Sequence, residues 1–436
     1  MHSFGEKDST LHKEIYDFVE KIYPFPRSIT GNGVRQTLQE VQHHLPDLKI
    51  HEIPSGTQVF DWQIPDEWNI YDACVIDASG QRIIDWKKNN LHVVSYSTPV
   101  NTSMSLEELN KHLYSLPEQP DAIPYITSYY KPCWGFCITH NQRSQLKQGQ
   151  YRVVIDSQLK PGSLTYGELI IKGEEASEIL LSTYVCHPSM ANNECSGPAV
   201  TTFLAKWLLQ QPSRRHTYRI VYIPETIGSI TYLSRNIEQM KANTIAGFVI
   251  TCAGDNRDFS FMPSRRANTI ADKVALHVLK HHTQKFTHYS FLERGSDERQ
   301  YCAPMVDLPV VSVMRSKYGQ YPEYHTSLDN LSIVSPEGLG GTYELLKKCL
   351  IALEQNYRYQ VTTLCEPQLG KRNLYPALST KSSVGEHVKT MMNLLAYCDG
   401  EKDLLDIAEI IKVPIETCYS IISLLIEQKL LVRKAY

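Results

Sequence analysis

The chain has 436 residues, enough for two or three domains, and its 42% hydrophobic and 21% charged residues are those of an ordinary globular protein. A formal net charge of −3 gives neither the basic footprint of a nucleic-acid binder nor an acidic tail. The opening MHSFGEKDST lacks the basic-then-apolar pattern of a signal peptide, and no apolar run reaches the roughly 18–20 residues that span a bilayer, so a cytoplasmic setting is expected.

Residues 8–23 place apolar side chains three and four apart behind Ser9 or Thr10, predicting an amphipathic helix with one of these as its N-cap. A second helix is predicted over 33–45 and a strand over 47–53. Residues 58–165 differ in texture. They are rich in Trp, Tyr and Pro, and the strand-like runs YDACVID, QRIIDW, LHVVSYS and YRVVIDS surround a short helix, SLEELNKHLYSL. This reads as a separate lobe with mixed or antiparallel strands. From 167 onward the apolar runs GELIIKG, EILLSTYV, TYRIVYIP, IAGFVITC and LPVVSVM alternate with helices near 197–210, 229–241 and 268–283. That alternation predicts βαβ units around a mostly parallel sheet. A long helix follows at 336–356, and 361–384 has the composition of a linker. Helices at 385–397, 403–411 and 415–428, then the strand LLVRKAY, predict a winged helix over 385–436.

The eleven cysteines are odd in number and scattered through apolar segments, as for reduced, buried thiols. Cys133 and Cys137 are spaced C-x3-C, but no second pair answers them, so no zinc finger is expected.

Ligands of open α/β sheets bind beyond the carboxyl ends of the strands. Four polar residues fall at such positions: His187 after EILLSTYVC, Glu225 after RIVYIP, Asp255 after GFVITC, and His325 after LPVVSVM. Two histidines with carboxylates from separate strand ends suit a zinc site with N and O ligands, or a general base beside one. Each has a plainer reading too. A histidine after a strand is often a hydrogen-bonded loop residue, Glu225 suits a helix cap, Asp255 a turn, and Ser296, Asp297 and Glu298 the start of a helix. Ser196 lacks the G-x-S-x-G context of a serine hydrolase. Cys186 should face away from His187 on an alternating strand, which argues against a thiol nucleophile. Of the lobe aromatics Trp62, Trp68, Tyr129, Tyr130 and Trp134, most should form the lobe's own core, with Tyr129, Tyr130 and Lys131 the candidates to face a cleft. Arg315 and Lys317 suit either a substrate carboxylate or a solvated loop.

The stretches CHPSMANNECSG, IPETIGS, ITCAGDNRDFSFMPSR, ERGSDERQY and PEYHTSLDNL together resemble the co-catalytic zinc aminopeptidase fold. More closely, they resemble a bacterial branch of aminopeptidase-like proteins often linked to polysaccharide biosynthesis. VFDWQIPDEWNIYDACV and IPYITSYYKPCWGFC resemble that branch's inserted lobe, and MMNLLAYCDGEKDLLDIAE resembles its winged helix, so the resemblance covers nearly the whole chain. It implies a three-layer α/β/α zinc-exopeptidase-like core over 1–57 and 166–360, an inserted β-rich lobe over 58–165 and a winged-helix domain over 385–436. It also implies His187 as the first metal histidine, His325 as the histidine of H-T-x-x-D and Glu225 as the active-site acid. Asn193 stands where the bridging aspartate is expected and Thr226 where a second acid is expected. The further ligand aspartate falls loosely on Thr251, with Asp255 four residues on. These departures imply one zinc ion, or a site that has lost catalysis.

The expected function is therefore metal-dependent hydrolysis of an amide bond in a peptide or amino-acyl metabolite, with a non-hydrolytic ligand-binding protein as the alternative. The expected metal ligands are His187, Asn193, His325 and Asp255, the base is Glu225, and the substrate contacts are Glu194, Tyr129, Tyr130, Lys131 and Arg315. A third class, a DNA-binding regulator, is disfavoured. Lys412, Lys429, Arg433 and Lys434 are outnumbered by Asp399, Glu401, Asp403, Asp406, Glu409, Glu416 and Glu427, so the winged helix is expected to serve packing or homo-oligomerisation.

Overall fold

The computed structural model describes residues 4–374 and 385–434. An eight-stranded sheet organises the larger part of the chain. Its strand order is Lys49–Pro54, Ser163–Ile171, Thr217–Ile223, Glu178–Tyr184, Thr244–Val249, Val310–Met314, Phe259–Met262, Phe286–His288. The four central strands, from Thr217–Ile223 to Val310–Met314, are mutually parallel, and antiparallel pairs flank them on both sides. The mostly parallel expectation thus holds for the centre, and the whole sheet is mixed. The central runs are buried at nearly every position, polar residues such as Ser182 and Arg219 included. All seven residues of Glu178–Tyr184 and all seven of Thr217–Ile223 are buried. The short strands Phe259–Met262 and Phe286–His288 were not anticipated; at four and three residues they are too brief for a period to register.

The first helix begins at Phe4, so Ser9 and Thr10 lie inside it and neither is its N-cap. The second, Asn32–His44, buries Val34, Leu38 and Val41 along one face. Helix Ser196–Gln210 runs directly from the loop after the central strand. It is buried continuously from Ser196 to Ala205. Gly197 makes this approach possible, since a Cβ there would collide with the Ile250 carbonyl oxygen and the Thr183 hydroxyl.

The segment 58–165 carries its own antiparallel sheet, in the order Arg82–Asp85, Glu67–Ile76, Gln150–Lys160, Val100–Ser105. Its inner face does not form an isolated core. Trp68, Ile70, Val153 and Ile155 belong to the same buried cluster as Leu180, Tyr184, Val221 and Ile223 of the main sheet. That shared burial fixes the lobe over the carboxyl ends of the central strands.

The chain divides into two compact units. One runs to Asp272 and resumes over Lys285–Glu344; the second comprises Lys273–Gln284 and the chain from Leu345. In the second, Arg358–Val361 pairs antiparallel with both Asp399–Asp403 and Leu431–Arg433. Helices Glu386–Tyr397, Leu404–Ile411 and Ile415–Glu427 pack beside this sheet through Leu394, Leu405, Ile407, Ile421 and Leu425. A strand preceding the expected linker therefore completes the winged-helix sheet. Part of that linker, 375–384, lies outside the described residues. All eleven cysteines are free thiols, buried except for Cys133 and Cys365. No described helix is long and apolar enough to cross a membrane.

Replacing Gly197 by alanine should lower stability by about 1–3 kcal/mol, the usual cost of forcing volume into a packed interior. The thermal unfolding midpoint of the variant tests this; an unchanged midpoint would show that the helix can retreat from Ile250.

Candidate active site

His187 follows the central strand at the sheet's carboxyl edge, and its ring is anchored by Glu194. That carboxylate accepts the backbone N–H of Cys186, the backbone N–H of His187 at 2.8 Å, and the His187 Nδ1 proton at 2.8 Å. The chain can return to make these bonds because Ser189 and Met190 both adopt φ 53, and a single wide helical turn, Ala191–Cys195, leads into the following helix. Asp329 secures that turn by accepting the N–H groups of Asn192 at 2.7 Å and Asn193 at 3.0 Å. Buried Arg27 lies 4.0 Å from Glu194 and donates to the carbonyls of His187 at 2.9 Å and Ser189 at 3.1 Å. The negative charge beneath the imidazole is thus paired on both sides.

With Nδ1 committed to Glu194, His187 presents Nε2 to Glu225, whose Oε2 lies 3.7 Å away. Burial opposes a charge on this imidazole, but Glu194 and Glu225 outweigh it and raise its pKa. Burial also raises Glu225, against the pull of His187 and Arg299. His325 has φ 54 and brings its ring to 5.4 Å from that of His187. Burial, with His187 nearby, pushes it down to about 3, so its imidazole is neutral. Tyr125 packs against both rings, at 5.1 and 5.2 Å, and its hydroxyl meets that of Tyr129 at 2.8 Å. A cavity of about 320 Å³ opens over His187 and Glu225, with Ile29, Ile227, Trp62, Tyr129, Tyr130 and Arg299 around it, while His325 and Tyr125 line a second cavity on their other side.

Several expected contacts lie elsewhere. Glu194 was expected to touch substrate, but its side chain is fully buried and holds His187. Asp255 was expected to bind metal. Its carboxylate instead takes four bonds within its own neighbourhood: Asn192 Nδ2 at 2.9 Å and Ser316 N at 3.0 Å on one oxygen, Arg257 N at 2.8 Å and Ser316 Oγ at 3.1 Å on the other. Asn193 donates its amide to Tyr184 Oη at 3.2 Å, leaving its buried Oδ1 without a partner. Lys131 is exposed and borders a separate cavity with Pro132 and Asp66. Arg315 does not reach the cleft; it stacks 3.9 Å over Phe259 and donates to the carbonyls of Gly338 and Arg257. Lys317 is likewise buried against Tyr318 and Tyr289. Tyr129 and Tyr130 do line the cavity.

Sequence reasoning passed over Tyr125, Arg27, Arg299 and the role of Asp297. Asp297 was read as the start of a helix. It does stand at the N-cap of the short helix Glu298–Tyr301, but its carboxylate caps nothing there and instead accepts Thr226 N and Ser229 Oγ, each at 2.8 Å, across more than sixty residues of chain. Cys186 does line the cavity, with Sγ 3.1 Å from His187 Nδ1. Yet it addresses the same nitrogen as Glu194, and burial keeps the thiol well above its ordinary range, so the three do not form a relay.

Residues 16–356 match the family described as Domain of unknown function (DUF4910), and residues 357–433 match a winged helix-turn-helix family. The chain belongs to the DUF4910 family. A relative from Clostridium acetobutylicum, provisionally named a polysaccharide biosynthesis protein with aminopeptidase-like domain, is 45% identical over 409 residues, spanning 94% of this chain and 93% of that one. A crystal structure from the same organism, provisionally named a peptidase, superposes with a TM-score of 0.93 at 43% identity over 98% of each chain. A zinc aminopeptidase of Bacillus subtilis gives a TM-score of 0.57 at 12% identity, over 81% of this chain and 96% of its own, which shows a shared fold. The aminopeptidase-like core and the C-terminal winged helix expected from the sequence are therefore present.

The donor set of this family member fits one metal ion and not two. His187 Nε2 and the neutral ring of His325, 5.4 Å from that of His187, would hold one ion, and Glu225 Oε2, 3.7 Å from Nε2, would stand beside it as a base. A carboxylate holding the far nitrogen of the imidazole is the usual support of a metal-binding histidine. Among the described residues nothing comparable serves a second ion: Asn193 offers only a neutral amide oxygen, Thr226 only a hydroxyl, and Asp255 is fully hydrogen-bonded. Among the described residues the one tight group of three potential donors is Cys186, His187 and Glu194, and these are already bonded to one another.

Asp297 supplies a pH test. Burial, with Glu225 close by, pushes its carboxyl up to about 8 from an ordinary 3.8, and its buried Oδ2 has no hydrogen-bond partner. Between these values the folded chain keeps a proton that the unfolded chain releases, so this group makes stability fall as pH rises from about 4 to about 8. Asp297→Asn preserves the acceptor for Thr226 and Ser229 and should flatten that part of the curve. Unfolding midpoints of both proteins across this range check it; parallel curves would mean that Asp297 is ionised in the folded chain.

Proposed function

We propose that the cleft hydrolyses an amide bond in a peptide or amino-acyl small molecule, with one zinc ion held by His187 through Nε2 and by His325. The observation that carries this reading is the fixed imidazole of His187, with Nδ1 tied to Glu194 and Nε2 turned to Glu225 across an open cavity. When bound, the ion would polarise the amide carbonyl and lower the pKa of the attacking water. Glu225 takes the proton from that water and returns it to the departing nitrogen. Burial raises its pKa, the direction that favours handing the proton on. Tyr125 packs against both histidine rings, and the lobe aromatics Trp62, Tyr129 and Tyr130 line the cavity over His187 and Glu225.

A second reading, ligand binding without hydrolysis, is favoured by Asn193, whose neutral amide is engaged with Tyr184 where a charged oxygen would hold a cation more firmly. The two separate on turnover. Glu225→Gln should lower amide hydrolysis by roughly 10²–10⁴-fold while the fold is kept. Release of amine from a panel of amino-acyl anilides, with zinc supplied, measures this. No turnover by the wild-type chain across the panel would favour the binding reading, and equal turnover by the variant would remove Glu225 from the proton path.

A further inference from the structure

Arg299 stands at the edge of the cavity. Its Nη2 donates to Thr226 Oγ1 at 2.7 Å, while its buried Nε has no hydrogen-bond partner. Among the described residues it makes no ion pair, although its charge is felt at Glu225. A guanidinium held partly out of water with an unpaired N–H is costly, and an anion at the end of Arg299 that lines the cavity would offset that cost. The group that matches its fork is a planar or tetrahedral oxyanion, which it can bind through two parallel N–H bonds.

Across the opening stand two aromatic side chains that the lobe does not bury. Trp62 lies on the hairpin Gln58–Gln63, which turns at Phe60 with φ 53, and is 40% exposed; Tyr130 is 56% exposed. Their rings meet edge to face at 6.0 Å. Trp68, by contrast, is buried and donates its indole N–H to Ser97 O, as a core tryptophan does. Trp62 and Tyr130 thus offer an apolar surface within the lining of the same cavity. The space of about 320 Å³ is at the small end for a ligand site, so it suits a compact molecule.

We infer that this pocket selects a small ligand bearing an oxyanion, carboxylate or phosphate, which pairs with Arg299 while an aromatic or apolar part lies against Trp62 and Tyr130. The inference rests on the proposed function, since it concerns the same cavity, and names its substrate class: compact amides that carry an acid.

Direct calorimetric binding to the zinc-supplied full-length protein tests this without turnover. The probes are N-acetyl-phenylalanine, its uncharged amide, and phenyl phosphate. The acid or the phosphate should bind about tenfold or more tighter than the amide, as expected for a hydrogen bond gaining a charged partner. Whichever of the two binds more tightly identifies the oxyanion. Arg299→Gln should erase the preference, and Trp62→Ala should weaken acid and amide probes alike. Equal affinity of the acid, phosphate and amide probes, binding by none of them, or a preference that survives Arg299→Gln would overturn the inference. If Arg299→Gln misfolds, the same comparison without added zinc keeps the test, because a preference that needs zinc would place the oxyanion on the metal and overturn the inference. Oxyanion preference without hydrolysis of any amide would sink the proposed reaction and leave this inference intact.

Discussion

The site depends on a single buried carboxylate. Glu194 fixes two backbone N–H groups at the strand end and one imidazole nitrogen, and it does so from a side chain with no exposure to solvent. Such a charge is tolerable only when paired, and Arg27 supplies the pairing from the opposite side while binding the carbonyls that flank His187. Loss of Glu194 would strand three donors in the interior, where each unmade bond costs about 1–3 kcal/mol. The direction in which His187 points, and therefore what Nε2 can meet, follows from this pairing.

Around that anchor the two sheets divide the work. The central parallel strands deliver His187 and Glu225 to one edge, as the strand-end rule requires. The lobe sheet, joined to the main sheet through a shared apolar cluster, brings Tyr129, Tyr130 and Trp62 over them. Tyr125 links the halves, because it touches both histidine rings and its backbone N–H donates to His325 O at 2.9 Å.

His187, Glu225 and His325 were legible in the sequence because each ends or follows an apolar strand, and strand ends converge in this kind of sheet. Position along a strand does not reveal what a side chain bonds to. Asp255 occupies a strand end as well, yet its carboxylate is consumed by Asn192, Arg257 and Ser316, two of them far away in sequence. Arg315 looked free beside a polar loop and proved to be stacked on Phe259. Glu194 looked like a cleft residue because it sits in a polar run, but the left-handed Ser189 and Met190 turn it back beneath the strand. Arg299 and Asp297 were hidden for the same reason: Asp297 bonds Thr226 and Ser229, and Arg299 bonds Thr226, contacts that no local pattern encodes. The antiparallel strands of the lobe were visible in its alternating runs, whereas their continuity with the main core was not, since alternating strands reveal an inner face but not its partner.

The central claim is that His187, aimed by Glu194, serves one metal ion. Zinc content per chain after equilibration with excess zinc and removal of the unbound metal, compared between the wild-type protein and His187→Ala, tests it most directly. The account predicts one ion in the wild type and its loss in the variant. Two ions, none, or one that survives the substitution would contradict it.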